Sequence, residues 1–168
     1  MTIPPRCPNH VETRSRHFEN DVLLLSLFPH MHLRGVSFKY EANYPDGRVE
    51  TLLSVPRWDM NWQHRYVFAE PLRLPAGTVL TATGNYDNSD ANPNNPDPDV
   101  EVHIGPQTTD EMFNGYYDYC LADQDLTEPI WRSWARKPVT WIGAVALIGI
   151  WLLLRRKWAA AAASARNA

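Results

Sequence analysis

Residues 37–55, SFKYEANYPDGRVETLLSV, decide the fold class. Polar and apolar side chains alternate over 37–44, which suits a strand with one face buried, because successive strand residues point to opposite sides. Pro45-Asp46-Gly47 supplies turn chemistry, and the chain returns along 49–55. The stretch predicts a β-hairpin. Upstream, 21–27 (DVLLLSL) is a short apolar run suited to a buried strand. Downstream, 65–68 and 77–83 predict two strands separated by a turn around Pro71–Gly77. Residues 87–99 (DNSDANPNNPDPD) can form only a long loop, and 100–104 and 112–119 are the last strand candidates. No helical run intervenes and no repeat is present. The expected fold class is all-β, a β-sandwich or jelly roll.

The chain has 168 residues, 44% of them apolar, enough for one cored domain and an appendage. Its net charge of −3 offers no basic field, which sets nucleic-acid binding aside. Residues 1–16 are polar and lack the apolar centre of a signal peptide. The run 139–154 (VTWIGAVALIGIWLLL) is uninterruptedly apolar, a little short of the ~20 residues that span a bilayer. Arg136 and Lys137 precede it, Arg155, Arg156 and Lys157 follow it, and Trp134, Trp141, Trp151 and Trp158 sit near its ends. Snorkelling cations and interfacial tryptophans complete a transmembrane helix. The expected map is a partial N-terminal segment (1–20), the β-domain (21–122), a connector (123–137), a membrane helix (138–158) and an Ala-rich tail (159–168). Cations slightly outnumber on the C-terminal side, which favours a single-pass protein with its domain outside the cytoplasm. Cys7 and Cys120 lie at the two ends of that domain; either they close a disulfide across its termini or they are two thiols.

His30 and His32 form a His-x-His pair. On a strand such residues share a face, about 7 Å apart along the chain, and two imidazoles can then converge on one metal. Two surface histidines are the commoner meaning of such a pair. Met31 would face the other side, and Leu33-Arg34-Gly35 would turn the chain away. Met112 carries a thioether, a soft donor suited to copper and above all to reduced copper. Its commoner role is core filling.

The ordered elements FPHMHLRG (28–35), HIG (103–105) and TTDEMFNGY (108–116) resemble the C-terminal domain of the copper type II, ascorbate-dependent monooxygenases. The family includes the peptidylglycine- and dopamine-hydroxylating enzymes, and the likeness covers about 21–119. It implies a jelly roll with one copper ion on His30, His32 and Met112. The implied activity is hydroxylation of an unactivated C–H bond with molecular oxygen, electrons coming from ascorbate or another reductant. Asn114 and Tyr116 fall where the peptide enzyme contacts substrate, although Tyr116 also sits in an aromatic run that could simply pack. His103 has a structural or supporting place rather than a ligand's.

Two departures bear on function. Position 28 is Phe, where the peptide enzyme has an arginine that grips the substrate carboxylate; an aromatic ring does not replace that clamp. The substrate is thus an unidentified small organic molecule. About 29 residues precede His30, too few for the family's electron-accepting copper domain, so a separate electron-donating domain or subunit is expected. The alternative is a membrane-anchored copper-binding module without turnover. A third class, a tail-anchored structural sandwich, would leave the histidines incidental.

Overall fold

The computed structural model describes residues 1–125, Thr127 and Trp151. Its strands, in chain order, are β1 (Thr2–Ile3), β2 (His10–His17), β3 (Val22–His30), β4 (Gly35–Asn43), β5 (Val49–Val55), β6 (Tyr66–Leu74), β7 (Val79–Tyr86), β8 (Val102–His103) and β9 (Asn114–Leu121). They form a four-stranded sheet β2-β7-β4-β5, a three-stranded sheet β6-β3-β9 and a small pair β1-β8, with every strand pairing antiparallel. The all-β class is as expected. Met1–Gln124 make up one compact unit; of the second, Asp125–Ala168, only Asp125, Thr127 and Trp151 are described. The apolar run 139–154 and the tail lie outside the described residues except for Trp151, as does most of the connector. Among the described residues, no helix is long and apolar enough to cross a membrane.

The hairpin β4–β5 turns where Pro45-Asp46-Gly47 stands. Gly47 takes φ of 87°, a backbone conformation that side chains resist, and Tyr44 N–H donates to the Arg48 carbonyl at 2.8 Å. Strand β6 continues past Pro71, where the sequence suggested a turn, but its pairing with β3 is interrupted over 68–71, so the missing N–H of Pro71 falls in that break on an edge strand. The first twenty residues also contribute more than a leading segment, since β2 pairs along its whole length with β7.

The two larger sheets close over Val22, Leu24, Leu27, Met31, Phe38, Tyr40, Leu74 and Tyr86, all nearly or fully buried. Two core tyrosines of the four-stranded sheet reach across to the other layer. Tyr40 Oη donates to the Tyr116 carbonyl at 3.0 Å and Tyr86 Oη to the Met112 carbonyl at 2.8 Å. Burial raises both phenols well above their ordinary pKa, so both remain donors.

A β-bulge in β3 controls what the site sees. Both pairings of β3 shift register between Leu24 and Ser26: against β9 Leu25 is the extra residue, and against β6 it faces the wider interruption 68–71. Before the bulge Val22 and Leu24 point inward; after it Leu27, Pro29 and Met31 do. Unbroken alternation from Val22 would have driven Phe28 and His30 into the core. The bulge turns both outward.

No disulfide joins Cys7 and Cys120: both are free thiols, one of the two readings the sequence left open. The Cys7 carbonyl accepts from Asn88, at the end of the sandwich where His10 pairs with Tyr86. Cys120 pairs with Leu23 at the opposite end, where neighbouring Tyr119 meets Phe18. The eight residues of β2 separate those ends by about 25 Å, far beyond the ~7 Å that a disulfide bridges between Cα atoms.

Candidate metal centre

His30 is the last residue of β3, and His32 follows in the turn that Gly35 closes by donating to the His32 carbonyl. Their ring centroids lie 5.1 Å apart with planes at 87°. Met31 between them is fully buried, as expected. Each ring is held by the same nitrogen. His30 Nδ1 lies 2.6 Å from Gln63 Oε1, and Gln63 is oriented by its own Nε2 donating to the Met60 carbonyl at 2.8 Å. His32 Nδ1 lies 3.3 Å from the Asp110 carbonyl. Both partners are acceptors, so Nδ1 carries the proton in each ring and Nε2 keeps its lone pair. Among the described residues neither Nε2 has a hydrogen-bond partner.

The thioether comes from the segment just before β9. In the β3–β9 pairing His30 stands opposite Asn114, so Met112, two residues earlier, continues toward His32. One side chain ties the two segments together. The fully buried Glu111 accepts from Arg34 N–H at 2.6 Å through Oε1, and from His32 N–H at 2.9 Å and Met112 N–H at 3.3 Å through Oε2. The amides of His32 and Met112 thus share one carboxylate oxygen. Burial pushes the Glu111 carboxyl up to about 7, against the pull of three amides and the nearby Arg34 charge. Arg34 is itself 1% exposed, its guanidinium satisfied by Asn88 Oδ1 and by the Thr109 and Asp97 carbonyls.

Asn114 Nδ2 sits 3.6 Å from Met112 Sδ, and Tyr116 stacks on Phe28 with centroids 5.9 Å apart. Asn114 and Tyr116 therefore occupy the same outward face as His30, one and two steps down the sheet. Met112 lies outside the strand that was expected to carry all three. His103 is exposed and pairs with Glu101; it serves through its carbonyl, which accepts from Glu111 N–H at 3.1 Å.

Sequence reasoning missed Gln63, Trp58 and Glu111. Trp58 Nε1–H donates to the His32 carbonyl at 3.2 Å, and its ring lies against Gly35, where a Cβ would come 2.6 Å from it. Trp58 and Gln63 belong to the irregular β5–β6 connection, which has no periodicity to read. A buried acid beside a methionine was the one visible signal for Glu111.

Two imidazoles and a thioether are a donor set that suits copper better than zinc or magnesium; Met112 is tied to this place by its amide, which shares a Glu111 oxygen with the His32 amide. Among the described residues no group of three His, Cys, Asp or Glu side chains gathers to hold a metal. Compared with known proteins, the chain matches no protein-family model and no curated protein.

Proposed function

We propose that His30, His32 and Met112 hold one copper ion, and that this is the oxygen-activating domain of a copper- and ascorbate-dependent monooxygenase. The observation that carries this is the matched anchoring of two adjacent imidazoles by Nδ1, with the Met112 amide bound to the same carboxylate oxygen as the His32 amide. Reduced copper bound there supplies oxygen activation for hydroxylating a C–H bond. The chain's own residues bind the ion through two nitrogens and one sulfur, hold the rings in one tautomer and shield the sulfur with Asn114. Asn114, Tyr116 and Phe28 then line the outward face on which a small organic substrate lies, one that needs no carboxylate clamp. Ascorbate or another reductant acts through an electron-donating partner.

The fold proposed for this domain is a jelly roll. Its two larger sheets, of four and three antiparallel strands, are compatible with that layout. Residues 138–158 are proposed as a single membrane span that anchors the domain outside the cytoplasm. The second reading is a membrane-anchored copper-binding module without turnover.

X-ray absorption of the full chain loaded with reduced copper should report two nitrogens and one sulfur, and Met112→Ala should abolish the sulfur scattering. A sulfur signal that survives in the variant removes Met112 from the site. Hydroxylated product formed with ascorbate, oxygen and a reconstituted partner separates the enzyme from the binding module.

A further inference from the structure

We propose that the outer edge of β9 accepts a β-strand from a partner polypeptide, one with acidic residues at alternate positions.

The two larger sheets face each other unequally, four strands against three. Gly115, on β9, comes so close to β7 that an added Cβ would lie 2.8 Å from that of Ala82. Beyond β9, no described residue of its own sheet covers the inward side of β2. The inward-facing residues Arg14 and Arg16 are consequently exposed, and the inward-facing Tyr119 and Leu121 of β9 remain 40% and 41% exposed. A cleft of about 180 Å³ opens there, lined by Arg14, Arg16, Tyr40, Ala82, Gly115 and Tyr117. The residues ahead of β2 do not fill it: β1 pairs with β8, and Arg6 N–H donates to the Pro98 carbonyl.

Sheet edges are normally guarded by charge or proline. Edge β2 carries Glu12, Arg14 and Arg16, β6 carries Glu70, Pro71 and Arg73, and β5 carries Glu50. Strand β9 has one charge, Asp118, and its carboxylate turns across the sheet face to Ser26 Oγ and Arg65, each at 2.6 Å. At Leu121 the backbone is already bonded to Gln124, N–H to Oε1 at 3.4 Å and carbonyl from the Gln124 N–H at 3.0 Å; the outer backbone groups before it are a template for strand addition.

Charge selects the occupant. A strand paired to β9 would lay every second side chain over β2, against Arg14 and Arg16. Arg14 shares Glu12 at 3.1 Å, and among the described residues Arg16 has no ion pair or hydrogen bond. A second copy of β9 would bring Gly115, Tyr117, Tyr119 and Leu121 to those positions, without a carboxylate. An acidic, alternating strand fits; a symmetric dimer does not.

The test uses the full chain with two blocked eight-residue peptides, one alternating valine with glutamate and one alternating valine with lysine. The glutamate peptide should slow hydrogen exchange of the β9 amides and bind at least about tenfold tighter than the lysine peptide. The double variant Arg14→Ser/Arg16→Ser should retain its fold and lose that preference. Equal binding by both peptides, or no protection of β9, overturns the proposal. So does protection already present without peptide, whether it grows with protein concentration, as in a dimer, or is independent of it, as when the chain covers its own edge.

Discussion

Gln63 acts on His30 through one 2.6 Å contact and is itself held by the Met60 carbonyl. Removing its amide frees the ring to rotate and to exchange tautomers, so Nε2 is no longer presented in a single direction. Gln63→Ala should weaken the binding of reduced copper about tenfold while leaving the urea midpoint nearly unchanged, because the residue lies in a connection and not in the core. Competition against a chelator of reduced copper reads the first quantity and equilibrium unfolding the second. An affinity equal to that of the parent would take Gln63 out of the site. Glu111 works differently. It satisfies three backbone N–H groups, each of which would cost about 1–3 kcal/mol if left buried and unpaired. Its role is to assemble the site, not to touch what binds there.

At the scale of elements, the start of β3 is pinned to the β6–β7 turn. Asp21 Oδ1 accepts from Ala76 N–H at 2.8 Å, and Oδ2 meets Arg73 at 2.5 Å. The Ala76 amide first, then the Arg73 hydrogen bond, hold this carboxyl below its ordinary pKa of 3.8. A folded-state pKa below the unfolded one means that folding favours the ionised form. The contribution is therefore complete above the unfolded pKa and is lost as pH falls through the folded one. Melting temperature followed from pH 7 to pH 2 should drop on the acid side, and Asp21→Asn should shallow that drop. Parallel acid limbs for variant and parent would show that the contact contributes nothing to folding. Elements also differ in how openly the sequence declares them. The 37–55 hairpin is legible because its alternation, turn residues and glycine all agree. Strand β2 is hidden because its inward positions include Glu12, Arg14 and Arg16, which face a gap and not a core. Pro71 masks the length of β6, since a proline rule for central strands does not bind an edge.

For the whole molecule, the two cysteines test the architecture. Placed at opposite ends of the sandwich, Cys7 and Cys120 should both be alkylated in the unfolded chain without prior reduction, and reductant should leave the melting temperature unchanged. A melting temperature that falls with reductant would mean that the ends are bridged after all.

The sequence alone was enough for an all-β chain, for the hairpin at its centre and for the His-x-His and Asp-Glu-Met segments as candidates, because alternation, turn residues and side-chain chemistry are local properties. It could not say which way His30 faces. That depends on Leu25, a single extra residue in β3 that reverses the phase of every side chain after it. Nor could it bring Met112 toward His32, residues 80 positions apart in the chain. Only the pairing of β3 with β9 and the three amides converging on the buried Glu111 do that.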